Sequence, residues 1–266
     1  MIELENAEGK NGDYFFSGMA FHRTNEISDV YLVIKSVDGF EKNAFKVKKK
    51  EREELLDIFG QDKSGNLIGF EVSVNQDNIN PEVLYEILLD IAYVEEKNGE
   101  FVEKKSQIST NYFLYDGEIA NVIEKPKVTN EQLQNVTDKG ELCFYLKDKG
   151  IWIYLYNGVL HWFIDKKIVP EDVQGLRLYI YTNRADLIPE LDNEHYLNEG
   201  YVYRNIYITD DNYDEESQLY ILNFDLPKEY PVTYINHGMF FSGKDKGWVY
   251  RGMFSLYKQI NKYEEY

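Results

Sequence analysis

Apolar and polar residues alternate with period two over much of this chain, and turn-forming dipeptides interrupt the alternation. The clearest instance is Ile151–Ile164, IWIYLYNGVLHWFI, where two strands flank Asn157-Gly158. A two-residue type I′ turn needs φ > 0 at both central positions, which Asn-Gly supplies, so Tyr156 is expected opposite Val159. Every other pair follows from that one. Trp152, Tyr154, Tyr156, Val159, His161 and Phe163 then share one face, and Ile151, Ile153, Leu155, Leu160, Trp162 and Ile164 share the other. The aliphatic face is core. The ring-lined face is either a second buried face or a surface on which a sugar stacks.

The same reading extends along the chain. Asp13–Phe21 is a strand in which Gly18 marks a bulge or a close backbone approach. Val30–Ser36 and Phe40–Val47 flank Asp38-Gly39, another primed-turn dipeptide. With Val37 opposite Phe40, Val30, Leu32, Ile34, Phe45 and Val47 form a core face, while Lys35, Lys42 and Lys46 face water. Lys49–Phe59 reads as a helix with Leu55, Leu56 and Phe59 on one stripe and Gly60 as its stop. Gly69–Val74 alternates as a strand. Asn80–Glu95 fits both periods, but the Asn98-Gly99 turn and the alternating run Glu100–Ile108 after it favour a strand.

Asp116–Gly140 loses apolar periodicity and contains Pro126, which places a domain boundary there. The expected domains are residues 1–125, a linker over 126–140, and an aromatic-rich domain over 141–266. Within the latter, Glu141–Leu146, Ile151–Tyr156, Val159–Ile164, Leu176–Thr182, Tyr201–Thr209, Gln218–Leu226, Val232–Phe241 and Trp248–Tyr257 continue the strand series, with a turn at Lys244–Gly247. The fold class is therefore all-β: two tandem antiparallel β-sandwich-like domains, with one short helix in the first.

Composition narrows the function classes. The 266 residues include 23 Tyr, whose apolar body and polar tip suit half-buried strands and ring-stacking sites alike. A net charge of −18 repels nucleic acid and anionic lipid, so neither is an expected partner. The basic run Lys46–Arg52 adjoins Glu53 and Glu54 and reads as a solvated helix start. The single cysteine, Cys143, excludes an intramolecular disulfide and a Cys-based zinc site, and is expected to be a buried, inert thiol. The N-terminus shows no secretory pattern and no run of 18 apolar residues exists, so a cytoplasmic protein without a transmembrane segment is expected.

Catalytic motifs are absent. There is no GxGxxG, Walker loop, HExxH or GxSxG. Ser255–Lys258 matches SxxK without its companion motifs. The acidic run Asp210–Glu216 has Glu215 where an EF-hand needs Gly and Ile221 where it needs Glu, leaving a solvated loop or a looser calcium site on a sandwich rim. His22, His161, His195 and His237 have no metal-ligand spacing and read as hydrogen-bonded structural residues. The acids are too numerous to single out a hydrolytic pair. No catalytic residue, cofactor or metal ligand is assigned. The candidate ligand-binding residues are Trp152, Tyr154, Tyr156, His161 and Phe163, with Asp165 and Arg177 as flanking polar groups. Burial under the first domain or a second copy of the chain would give that face the same composition.

Ser17–Phe21 (SGMAF), Tyr31–Ser36 (YLVIKS) and Gly69–Val74 (GFEVSV), followed by the strand Tyr85–Tyr93, resemble parts of β-sandwich modules that accompany bacterial enzymes of surface-polysaccharide and teichoic-acid-type polymer synthesis. Those modules occur beside glycosyltransferase and polyol-phosphate transferase domains. The resemblance spans roughly residues 13–115 and brings no catalytic residue with it. It implies a non-catalytic accessory role, binding glycan or docking a glycosyltransferase domain. The alternatives are a carbohydrate-active hydrolase with an Asp/Glu pair in the second domain, and a purely structural interaction module that dimerises through its aromatic face.

Overall fold

The computed structural model divides the chain into two compact units, Met1–Val122 and Ile123–Tyr266. It describes residues 1–59, 66–146, 149–187, 196–197, 201–241 and 247–256. Gly60, His195, most of the expected Lys244–Gly247 turn and the end of the SxxK match lie outside the described residues.

The first unit contains β1 (Ile2–Lys10), β2 (Asp13–Phe21), β3 (Ile27–Ser36), β4 (Lys42–Lys46), β5 (Lys48–Lys50), α1 (Glu53–Phe59), β6 (Leu67–Asn75), β7 (Tyr85–Lys97), β8 (Glu100–Tyr115) and β9 (Glu118–Asn121). They form two antiparallel sheets, in the orders β1-β2-β6-β5 and β4-β3-β7-β8-β9. The core lies between them: Phe16, Ala20, Phe70 and Val74 from one sheet meet Val30, Leu32, Ile34, Ile87 and Leu89 from the other. The ambiguous segment is strand β7, as its turn signal indicated. Asn98 and Gly99 both have positive φ, and so do Asn11-Gly12 and Asp116-Gly117, which join β1 to β2 and β8 to β9; β1 and β9 add strands beyond those expected from the sequence.

Three local features differ from or refine the sequence reading. The Asp38-Gly39 loop is not a primed turn, since only Gly39 has positive φ. Ser36 closes the loop instead, its Oγ donating to Asp38 at 2.6 Å and accepting from the Glu41 backbone N–H at 2.8 Å. The helix begins at Glu53 and not at Lys49, because Lys48–Lys50 pair with Gly69–Glu71 as a short edge strand. The basic run is met there by acids: Lys48 and Lys50 pair with Glu71, and Arg52 with Glu5. Gly18 fills both roles expected of it. Pairing slips between Leu4 and Asn6 beside it, and a Cβ on Gly18 would lie 2.0 Å from the Glu3 carbonyl oxygen.

The second unit contains α2 (Glu131–Lys139), β10 (Glu141–Leu146), β11 (Ile151–Tyr156), β12 (Val159–Asp165), β13 (Val173–Tyr181), β14 (Tyr196–Leu197), β15 (Tyr201–Tyr207), β16 (Tyr213–Asp214), β17 (Leu219–Asp225), β18 (Tyr234–Phe241) and β19 (Trp248–Ser255). Its sheets run β10-β11-β12-β17-β16 and β14-β15-β13-β18-β19. Ile151, Ile153, Leu160, Trp162 and Leu222 of the first sheet pack against Leu176, Leu178, Ile180, Val202, Ile235 and Met239 of the second. All-β architecture with sandwich-like pairs of antiparallel sheets therefore holds for both units. The stretch 126–140, expected as a linker, instead carries α2 within the second unit, where its side chains join those of β11 and β12 in one cluster. Cys143 is half-buried at a pairing slip between Leu142 and Phe144, so it is not the fully buried thiol expected.

Candidate functional site

The β11–β12 hairpin has the register its turn dictates. Asn157 and Gly158 both have positive φ, Tyr156 pairs with Val159, and Ile151 pairs with Ile164. Its aliphatic face, Trp162 included, is buried in the core between the two sheets.

The ring-lined face has a different fate from an open platform. Tyr154 and Phe163 are 3% and 0% exposed and join Val136 of α2 and Leu219 of β17 in a second, smaller cluster. Leu133 of α2 and Val128 pack against the same cluster. Asn130 fixes the start of α2, its Oδ1 accepting from the Gln132 N–H at 2.8 Å, and Gly140 N–H closes the other end on the Val136 carbonyl at 2.9 Å. Burial pushes the Tyr154 phenol up to about 12. Trp152 is half-buried, stacks on Tyr145 at 5.7 Å and donates its Nε1–H to the Glu124 carbonyl at 2.6 Å. His161 is half-buried, lies 2.8 Å through Nδ1 from Asn223 Oδ1, and is held below the usual imidazole range, mainly by desolvation. Tyr156 is half-buried. The five residues do share one face, but its two central rings lie in a cluster with α2 and cannot stack on a ligand while that helix is docked. Nor do the flanking groups assemble there: Asp165 caps the turn at Lys167, and Arg177 belongs to the other sheet.

This arrangement gives a direct prediction. Val136→Asp puts a carboxylate among Tyr154, Phe163 and Leu219, a burial that costs about 3 kcal/mol if it stays in place. The cheaper response is for α2 to undock. Amide exchange over residues 131–139 is expected to reach unprotected rates in that variant, while the amides of β13 and β18 keep wild-type protection.

A second ring-lined face, which hairpin reasoning missed, lies on the outer side of the β14-β15-β13-β18-β19 sheet. Since Leu176, Leu178 and Ile180 point into the core, Gly175, Arg177, Tyr179 and Tyr181 point outward. Cross-strand register then assembles four rows over β15, β13, β18 and β19. They are Tyr207–Gly175–Phe240–Trp248, Asn205–Arg177–Gly238–Arg251, Tyr203–Tyr179–Asn236–Met253 and Tyr201–Tyr181–Tyr234–Ser255. Eight of the sixteen positions are aromatic, two are arginines and none is acidic.

The last row is closed: Tyr181, Tyr201 and Tyr234 are each at most 5% exposed, and Tyr181 stacks on Tyr234 at 4.2 Å with planes 9° apart. The other rows are more open. Tyr207 is 58% exposed, Arg251 is exposed, and Arg177, Tyr179, Tyr203, Asn205, Asn236 and Trp248 are half-buried. Arg177 lies over the Phe240 ring at 4.6 Å and donates its Nε–H to Asn205 Oδ1 at 3.0 Å, while Arg251 lies over Trp248 at 4.9 Å. The sequence signal for this face was present in the alternate tyrosines of LRLYIYT and YVYRNIYIT. What it lacked was any way to join strands separated by tens of residues.

Among the described residues no group of three or more His, Cys, Asp or Glu is placed to hold a metal ion, the Asp210–Glu216 loop included. No helix among them is long and apolar enough to cross a membrane. No family model matches the chain, and no curated protein matches it. Among solved structures it is similar to a DUF4785 family protein from Legionella pneumophila, at 8% identity and a TM-score of 0.25, over 94% of this chain and 54% of that one. The chain thus spans about half the length of that protein.

Proposed function

We propose that this chain is a non-catalytic carbohydrate-binding protein whose second unit recognises sugars through the outer face of the β14-β15-β13-β18-β19 sheet. The observation that carries this reading is the set of half-exposed rings at strand spacing, interleaved with amides. Sugar rings present apolar C–H faces that stack on aromatic rings, and Asn205 and Asn236 stand beside those rings, where they can hydrogen-bond hydroxyls. Paired-carboxylate hydrolysis needs two acids flanking the scissile bond, and no described position in the four rows is Asp or Glu. The setting, accessory to bacterial surface-glycan assembly with a glycosyltransferase domain as partner, rests on the resemblance of residues 13–115.

A glycan array followed by titration calorimetry tests the reading. Tyr203→Ala and Tyr179→Ala are each expected to weaken the best glycan about tenfold, equivalent to about 1.4 kcal/mol. Tyr154→Ala, on the opposite sheet and packed with α2, is expected to leave affinity unchanged. Loss of affinity in Tyr154→Ala alone would return the site to the β11–β12 face, and a wild-type protein that binds no glycan would overturn the carbohydrate reading.

A further inference from the structure

The outer sheet face has a charge as well as a shape. The chain as a whole carries 47 acids against 29 Lys and Arg, yet the sixteen outward positions of this sheet hold two arginines and no acid. Neither Arg177 nor Arg251 forms an ion pair among the described residues, in a chain with 47 acids. Arg52 and Arg184, by contrast, are both paired. Each outer-face guanidinium instead lies over a ring, Arg177 on Phe240 and Arg251 on Trp248.

Stacking fixes the plane of a guanidinium and leaves its in-plane N–H groups directed sideways. Among the described residues Arg177 donates only its Nε–H, to Asn205, which leaves its two terminal nitrogens available. The two arginines share one row, with Gly238 between them, which sets their Cα atoms about 10 Å apart at the usual strand spacing. Gly238 adds no side chain, so nothing on β18 rises between the two cations. A Cβ there would meet the Trp248 ring at 2.7 Å, which means that the indole already lies against this glycine. The result is a flat floor of ring and backbone with a cation on each side.

We infer that this face binds an anionic saccharide, one whose carboxylate or phosphate group is held by Arg177 and Arg251 while a neighbouring sugar ring stacks on the tyrosines. The inference rests on the carbohydrate-binding reading and specifies its ligand. Two cations within a field of −18 suit a saccharide with sparse anionic groups better than a nucleic acid, which needs a continuous basic groove to follow its backbone. Carboxylate and phosphate present the same planar or near-planar oxygen pair to a guanidinium, so either source satisfies the site.

Calorimetry with matched pairs of oligosaccharides tests this. Trigalacturonate is compared with its methyl ester, and mannopentaose phosphate with the same oligosaccharide after phosphatase treatment, at 20 mM and 300 mM NaCl. The expected result is that at least one charged member binds tenfold or more tighter than its neutral counterpart. That preference should shrink at high salt and disappear in Arg177→Ala and in Arg251→Gln. Arg251 is exposed, so its variant tests the charge even if Arg177→Ala disturbs the sheet, and the salt dependence of the wild type needs no variant at all. Whichever pair shows the preference identifies the carboxylate or the phosphate source. Equal binding of charged and neutral members would overturn the inference and leave the carbohydrate reading standing. No binding by any member, or tighter binding of the oligonucleotide dT10, would overturn both.

Discussion

Lowering the pH from 7 to 5 is expected to remove about 2 kcal/mol of stability from the second unit through His237 alone. His237 is 1% exposed, with the rings of Phe144, Trp162, Tyr250 and Phe254 packed around it. Its Nδ1 lies 3.1 Å from the Tyr250 hydroxyl, while Nε2 has no hydrogen-bond partner among the described residues. Tyr250 is the titratable group in contact with it, and burial pushes that phenol up, so it stays neutral. Desolvation pushes His237 down to about 3 from its ordinary 6.5. The unfolded chain therefore binds a proton that the folded core refuses. Stability from this residue is complete above pH 6.5 and is lost as the pH falls from there toward 3, at about 1.4 kcal/mol per pH unit.

The window between pH 6.5 and 5 excludes ordinary carboxylates, which remain ionised there. It includes His161 of the same unit, which desolvation also holds below the usual imidazole range and which therefore adds a loss of the same sign. All three tryptophans, Trp152, Trp162 and Trp248, lie in the second unit, so tryptophan fluorescence during urea unfolding reports on that unit without interference from the first. His237→Phe keeps the ring packing and removes the titrating group. Its unfolding free energy should fall less steeply across that window than the wild type's, keeping only the part due to His161. A wild type whose pH dependence matches that of His237→Phe would show that His237 is not buried as described.

Trp162→Ala should cost about 3–5 kcal/mol, the range for truncating a large buried ring. Trp162 is fully buried at the centre of the second unit's core, with ring contacts to His237 and Phe254. Its Nε1–H has no hydrogen-bond partner among the described residues, so part of the indole's contribution is already offset by a buried, unmet donor. Trp162→Phe gives up the donor and keeps one ring of packing, and its cost should fall to about 1 kcal/mol. Urea unfolding followed by far-UV circular dichroism reads both variants. Because Trp162 and His237 touch, the double variant Trp162→Ala/His237→Phe should depart from additivity, unlike either change combined with one on the outer face of β13. A Trp162→Ala cost below 1 kcal/mol would place this residue outside the core.

The hairpin shows how far local chemistry reaches. Asn157-Gly158 sets a turn, the turn sets a register, and the register sorts Ile151–Ile164 into two faces, all within 14 residues. The strand β7 was legible for the same reason, through Asn98-Gly99 next to it. The first failure was α2. A nine-residue helix with Leu133 and Val136 as its buried-side residues offers too few apolar positions to show a period, and Pro126 upstream suggested a linker. The second was the ligand face. Arg177 was visible as a candidate polar group, but on the wrong sheet, because its neighbours Asn205, Gly238 and Arg251 come from strands 28, 61 and 74 residues further on.

What the sequence alone determined, then, is everything that depends on a residue and its near neighbours. It specified an all-β chain, most of its longer strands though not β1, the Asn98-Gly99 and Asn157-Gly158 turns, and an inward face at Ile151, Ile153, Leu160 and Trp162. It also showed that no recognised catalytic motif is present. Only the tertiary structure decided which of the ring-bearing faces is covered. Burial depends on what returns to a surface from elsewhere in the chain, and period two gives both faces of a strand equal standing until that covering arrives. Thus Tyr154 and Phe163 go into a cluster with α2, and His237, an ordinary polar residue by sequence, ends among four rings. Arg177 and Arg251, 74 positions apart, come to stand on either side of one glycine.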